Sequence, residues 1–137
     1  METNISITYP TLVKRFQSLF VDQVFIIICM AVFSMLLGNP EDESLNGIRG
    51  LLLFGLFFVY EPLCMVFGCT AGNFIAGIRV RRFSDPAQKI NLFQSYLRFI
   101  VKLLLGIISF FTVTSDKHKR ALHDKVSGSV MIYKPKA

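Results

Sequence analysis

Two charged residues stand in the first long apolar run of the chain: Arg15 at its mouth and Asp22 inside it. They are seven positions apart, so a helix puts them on one face about 10 Å apart along its axis. An ionisable group inside an apolar membrane segment is costly and is a candidate functional site by default. Asp22 therefore calls for a partner. Arg15 is the nearest cation in sequence, with Ser18, Gln23 and Arg98 as the other candidates. Two chemistries fit: a charge network that fixes helix packing, or an ion or proton site.

Glu61 raises the same question in the second apolar run, where Pro62 follows it. Proline removes one intrahelical hydrogen bond and frees the carbonyl four residues back, that of Phe58. A bare carbonyl beside a carboxylate suits a cation where both line a cavity. The plainer alternative hydrogen-bonds Glu61 to Tyr60 or to neighbouring backbone. Asp22 and Glu61 are thus the candidate ion or solute site. Arg120, His123 and Asp124 form a third set near the end of the chain. Histidine titrates near neutral pH and can sense it. The plainer reading is a solvated cytoplasmic turn in which Asp124 caps a helix or pairs with Arg15 or Arg79. The amides of Thr70-Ala71-Gly72-Asn73 could cradle an anion, or simply make a tight turn.

No nucleophile lies beside a paired base, so an enzyme is not expected. Cys64, Cys69, His118 and His123 lack the spacing of a zinc site, so neither a metal nor a cofactor is expected. Cys29, Cys64 and Cys69 read as free thiols packed as small hydrophobes.

The elements that position these groups follow from composition. The chain is 53% hydrophobic, with 14 Phe, no Trp and a mean hydropathy of +0.52. At 137 residues that argues for one small integral membrane domain rather than a soluble one. Lys and Arg number 15 against 9 Asp and Glu, a net charge of +6. The cations cluster at the ends of apolar runs, where topology and lipid headgroups account for them. No nucleic-acid motif accompanies them.

Residues 16–37 are long enough to span a bilayer and end at Gly38-Asn39-Pro40. Lys14 and Arg15 precede a run too long for a signal peptide, so it reads as an uncleaved anchor. An acidic loop, Glu41-Asp42-Glu43, leads to a second span over about 50–69. A short loop makes the two an antiparallel hairpin. Residues 77–80 and 128–132 both show a glycine followed by β-favouring residues, which predicts a small cytoplasmic two-stranded ribbon. Residues 90–114 begin with helical apolar spacing broken by Arg98 and Lys102 and finish in a run too short to span. That predicts an amphipathic helix in the headgroup plane followed by a re-entrant segment. A full third crossing would put Lys117, Lys119, Arg120, Lys125, Lys134 and Lys136 of the tail (115–137) outside, against the positive-inside rule. Both termini are therefore expected in the cytoplasm, across the inner membrane.

Arg15, Asp22 and Asp124 together resemble the motif of the RDD family of small bacterial membrane proteins. That family is named for an arginine opening the first helix, an aspartate within it, and a second aspartate near the end. Thr70-Ala71-Gly72-Asn73 and Gly77-Ile78-Arg79-Val80 resemble its T-P-G-K and G-L-R-V segments, with Ala71 for proline and Asn73 for lysine. The resemblance runs from about Pro10 to Tyr133. It implies a multi-pass domain in which Arg15 and Asp124 share the cytoplasmic face, with Arg15 a hub between a buried Asp22 and a surface Asp124. It also implies a part in moving a small ion or solute. The alternative is a non-transporting assembly or regulatory module whose charges are structural. With so few spans, either calls for a homo-oligomer or another membrane protein as partner, besides the lipid bilayer.

Overall fold

The computed structural model describes residues 7–38 and 41–134. It is mostly helical. Helix α1 (Leu12–Leu36) starts at Thr11, whose hydroxyl caps it by accepting the Lys14 N–H at 3.5 Å. A 3-10 turn at Glu43–Leu45, capped by Asp42, leads into α2 (Asn46–Phe67). Both helices are long and apolar enough to cross a membrane, at mean hydropathies of 2.4 for Leu12–Leu36 and 2.0 for Glu43–Phe67. Both start earlier in the chain than the hydropathy runs imply, since helical backbone extends into the polar flanks. Asn39, Pro40 and Lys136 lie outside the described residues.

Contacts along the pair run in opposite senses. Asp22 meets Tyr60, Phe25 stacks against Tyr60, and the Gly38 carbonyl accepts from Arg49. The two helices are an antiparallel hairpin.

A short helix α3 (Ala71–Ile75) stands where a turn was expected. Strand β1 (Ile78–Arg82) then pairs antiparallel with β2 (Ser129–Tyr133), Ile78 opposite Tyr133 and Arg82 opposite Ser129. The two-stranded ribbon read from the sequence is therefore present. Its strands follow Gly77 and Gly128, both at positive φ, which glycine adopts without strain. Met65, Ile78, Val80, Ile90 and Met131 form a small apolar core under it.

Between the strands run α4 (Leu92–Leu105), α5 (Ile108–Ser115) and α6 (Leu122–Ser127). The chain bends by 107° between α4 and α5, at Gly106 and Ile107, so the third apolar segment is not a straight span. Ser95 meets Pro62, Phe99 meets Phe57 and Phe58, and Lys102 meets Glu61. Seven residues of α4 rise about 10 Å, yet all face one short stretch of α2. Helix α4 thus crosses α2 rather than running beside it.

The amphipathicity of α4 has the opposite sense from a helix packed on a soluble core. Ser95 and Arg98 are buried, whereas Phe93 and Leu104 are 76% and 78% exposed. The polar stripe expected at the headgroups faces the protein instead. Elsewhere Arg15, Thr70, Asn73, His123 and Asp124 are buried while Phe20, Met35, Leu51 and Ile107 are exposed. Such an inverted distribution satisfies polar groups internally and turns apolar ones outward, as a bilayer requires.

Candidate functional site

Asp124 sits in the first turn of α6, whose start it caps by accepting the Ala121 N–H at 3.1 Å. Its carboxylate is fully buried. Arg15 of α1 donates to one oxygen at 2.6 Å and Arg98 of α4 pairs with the other. The second Arg15 nitrogen donates to the Lys119 carbonyl, and Arg98 also donates to the Ser129 hydroxyl at 3.3 Å. One carboxylate therefore ties α1, α4 and α6 together.

His123, beside it, is also fully buried. Its Nδ1 stands 2.5 Å from the Ser109 hydroxyl, which accepts the His123 backbone N–H at 3.1 Å. Burial, then the charges of Arg98, Lys102 and Arg15, push its pKa far below the ordinary histidine range. That direction favours the neutral ring, with the Asp124 carboxylate 3.5 Å from its Nε2.

Asp22 is held differently. Its oxygens accept from the Tyr60 hydroxyl at 3.0 Å, the Thr70 hydroxyl at 2.6 Å and the Gly72 N–H at 2.8 Å. No cation is among these donors. The Ser18 hydroxyl donates to the Asn73 side-chain carbonyl at 2.7 Å, fastening α3 to α1 a second time. Here only glycine fits at position 72: a Cβ would lie 1.9 Å from the Ser18 carbonyl oxygen and 2.9 Å from the Asp22 carboxyl carbon. Of the Thr70–Asn73 amides only that of Gly72 meets the Asp22 carboxylate; the Ala71 N–H donates to the Tyr60 hydroxyl and the Asn73 N–H to the Thr70 hydroxyl, so the stretch is no amide cradle for a separate anion.

Glu61 forms an ion pair with Lys102 at 2.6 Å, each side chain still slightly exposed. With Asp22 it lines a cavity of about 180 Å³ between α1, α2 and α4. Gln23, Tyr60 and Lys102 add the other polar groups, and Phe57 and Phe99 form apolar walls. The cavity adjoins the Arg15–Asp124–Arg98 cluster, since a small void touches Arg15, Asp22, Glu61, Arg98 and Lys102.

A family model described as the RDD family matches residues 9–128. The chain belongs to the RDD family. A search of curated proteins and a search of solved structures gave no match. RDD membership and the two apolar helices together point to a membrane protein.

The RDD residues are thus placed, and several expected pairings change. Arg15 does not reach Asp22: its two terminal nitrogens donate to the Asp124 carboxylate and the Lys119 carbonyl. The helix puts arginine and aspartate two turns apart, and each finds a partner at its own level. Asp124 is not a surface acid in a solvated turn; packing of α6 against α4 buries it. Arg120 does not join His123 and Asp124 in one cluster. It lies over the Phe83 ring at 3.8 Å and 3.5 Å from Asp116. Glu61 is bound to neither Tyr60 nor backbone, because Lys102 of the crossing α4 reaches it first. The carbonyl that gains a partner beside Pro62 is its own, from Ser95 at 2.7 Å.

Ser109 was not singled out in the sequence, Tyr60 was named only as a partner for Glu61, and Thr70 only within its loop. Lys102 carried its signal as a cation interrupting an apolar stripe.

Proposed function

We propose that this RDD protein is an integral protein of the inner membrane that takes part in moving a small ion or solute. Arg15, Asp124 and Arg98 would hold the cytoplasmic end, and Asp22 and Glu61 would supply the polar groups of the path. One observation supports this above the rest: both intramembrane carboxylates line the same cavity, with Lys102 beside them. Ionisable groups that face an internal cavity within an apolar exterior are the usual mark of a substrate or ion pathway. The cavity is small and the spans few, so a closed path calls for a second copy or another membrane protein.

Topology follows the charge. Lys14 and Arg15 flank the inner end of α1 and Glu41, Asp42 and Glu43 the outer loop. The bend between α4 and α5 lets the chain return to the side it left, keeping the basic tail with the N-terminus. An externally accessible C-terminal tag would overturn this orientation. Flux is measured in proteoliposomes of purified protein, comparing the native chain with Asp22→Asn and Glu61→Gln. Loss of flux in folded variants is expected; undiminished flux in both would reject the mechanism.

The second reading is a non-transporting assembly or regulatory module whose charges are structural. The complete hydrogen bonding of Asp22 within the chain favours it. Its mark is loss of folded protein on Asp22→Ala with no flux in the native chain.

A further inference from the structure

We propose that the cavity between α1, α2 and α4 takes the head of a single-chain amphipathic cation, an ammonium on an alkyl tail, entering sideways from the apolar exterior. The proposal names a substrate class for the cavity and rests on the reading that this cavity is the functional site.

Four observations carry it. The first is the mouth. Gln23, Leu103 and Gly106 line the cavity and are exposed. Their neighbours Ile27, Leu104 and Ile107 are 62%, 78% and 64% exposed. The opening therefore gives onto the apolar outside of the helices, not onto the basic ribbon. A ligand reaching it from a bilayer arrives along its apolar part.

The second is charge. Two carboxylates, Asp22 and Glu61, line the cavity against one ammonium, Lys102, a formal excess of one negative charge. At membrane depth that excess disfavours an anion and favours a monovalent cation. The third is the wall. Phe57, Tyr60 and Phe99 line the same space, and aromatic faces attract ammonium groups through their quadrupole, quaternary ones included.

The fourth is size. About 180 Å³ falls below the roughly 300–1,000 Å³ of pockets that enclose a drug-sized ligand. The head fits and the tail stays in the apolar mouth. Lys102 is the built-in competitor, since its ammonium already occupies Glu61 at 2.6 Å on a flexible stem. An arriving cation displaces it.

That competition gives the two neighbours opposite signs. The protein is placed in nanodiscs of zwitterionic phosphatidylcholine, and radiolabelled dodecyltrimethylammonium, below its micellar concentration, is bound by equilibrium dialysis. Saturable binding is expected, with no competition from dodecanoate. Glu61→Gln should weaken it roughly ten- to a hundredfold, as loss of a charged partner does. Lys102→Met should tighten it. Should Glu61→Gln leave Lys102 stranded and fail to fold, the double variant Glu61→Gln, Lys102→Met removes both charges and should bind as weakly. Absence of saturable binding to the native protein, equal competition by dodecanoate, or weakening by Lys102→Met would each overturn the proposal. Saturable binding of the cation with no flux in proteoliposomes upholds it and rejects the transport reading. Carboxylate-dependent flux of a small ion with no cation binding does the reverse.

Discussion

The two aspartates of the RDD motif are treated in opposite ways. Asp124 is sealed between two guanidiniums and fully buried, at the junction of α1, α4 and α6. Asp22 meets only neutral donors, two hydroxyls and an amide, and borders a cavity. A carboxylate held by cations cannot lose its charge without stranding them. Replacing one held by neutral dipoles breaks hydrogen bonds but orphans no counter-charge. The first arrangement is a latch. The second sets a carboxylate beside a space with neutral donors as its own partners.

Asp124→Ala is therefore expected to have the largest effect. It leaves Arg15 and Arg98 buried without their anion, which typically costs about 3–5 kcal/mol. Thermal unfolding in detergent should show most of the folded protein lost. Asp22→Asn keeps the shape and at least one acceptor, and should cost about 1–3 kcal/mol. A larger penalty for Asp22→Asn than for Asp124→Asn would break the contrast. Gly72→Ala acts on the same region sterically. With backbone 1.9 Å from the new Cβ, α3 must move off α1, at about 1–3 kcal/mol by the usual range for overpacking. Asp22 then loses its amide donor, so the flux or binding assigned to the cavity should fall with stability.

On the latch side the next expectation concerns pH. His123 is kept neutral in the fold by burial and by nearby cations, so its folded pKa lies well below its unfolded value. The unfolded chain takes up the proton first. Stability is then full above about pH 6.5 and falls by about 1.4 kcal/mol per pH unit below it, until the folded ring itself titrates. His123→Gln should remove that slope. A native protein whose stability is flat between pH 6.5 and 4.5 would contradict it.

The smallest effect belongs to Asp116. Its carboxyl sits at about 2: burial pushes it up, and the Arg120 backbone N–H together with Lys125 and Arg120 pushes it down further. A folded pKa below the unfolded one contributes stability above about pH 4 that is lost on further acidification. Lys125→Ala, 3.1 Å away and partly exposed, should change stability at neutral pH by less than about 1 kcal/mol.

Much of the architecture is legible in the chain as written. The hairpin follows from two apolar runs flanked by Lys14-Arg15 and an acidic loop. The ribbon follows from two glycine-led β-favouring stretches. The break in the third segment follows from a run too short to span. These are local signals, carried by hydropathy, periodicity and turn residues within a few positions of one another. The sense of α4 was not legible, because one amphipathic pattern serves a helix with its polar stripe outward or inward. Burial of Arg98 in a fold whose outside is apolar decides for inward.

The sequence by itself determined the element order, the membrane-type helices and the three motif residues. Arg15 with Asp124 was among the pairings the sequence offered; the tertiary structure chose it over Arg79 and decided the other partners. Arg15 finds Asp124 at a separation of 109 positions, and Asp22 finds Tyr60, Thr70 and Gly72 at 38, 48 and 50. Such pairings depend on where α4 crosses α2 and how closely Gly72 lets α3 approach α1. Apolar periodicity says which face meets lipid. It does not say which polar groups the remaining faces will bring within 3 Å of each other.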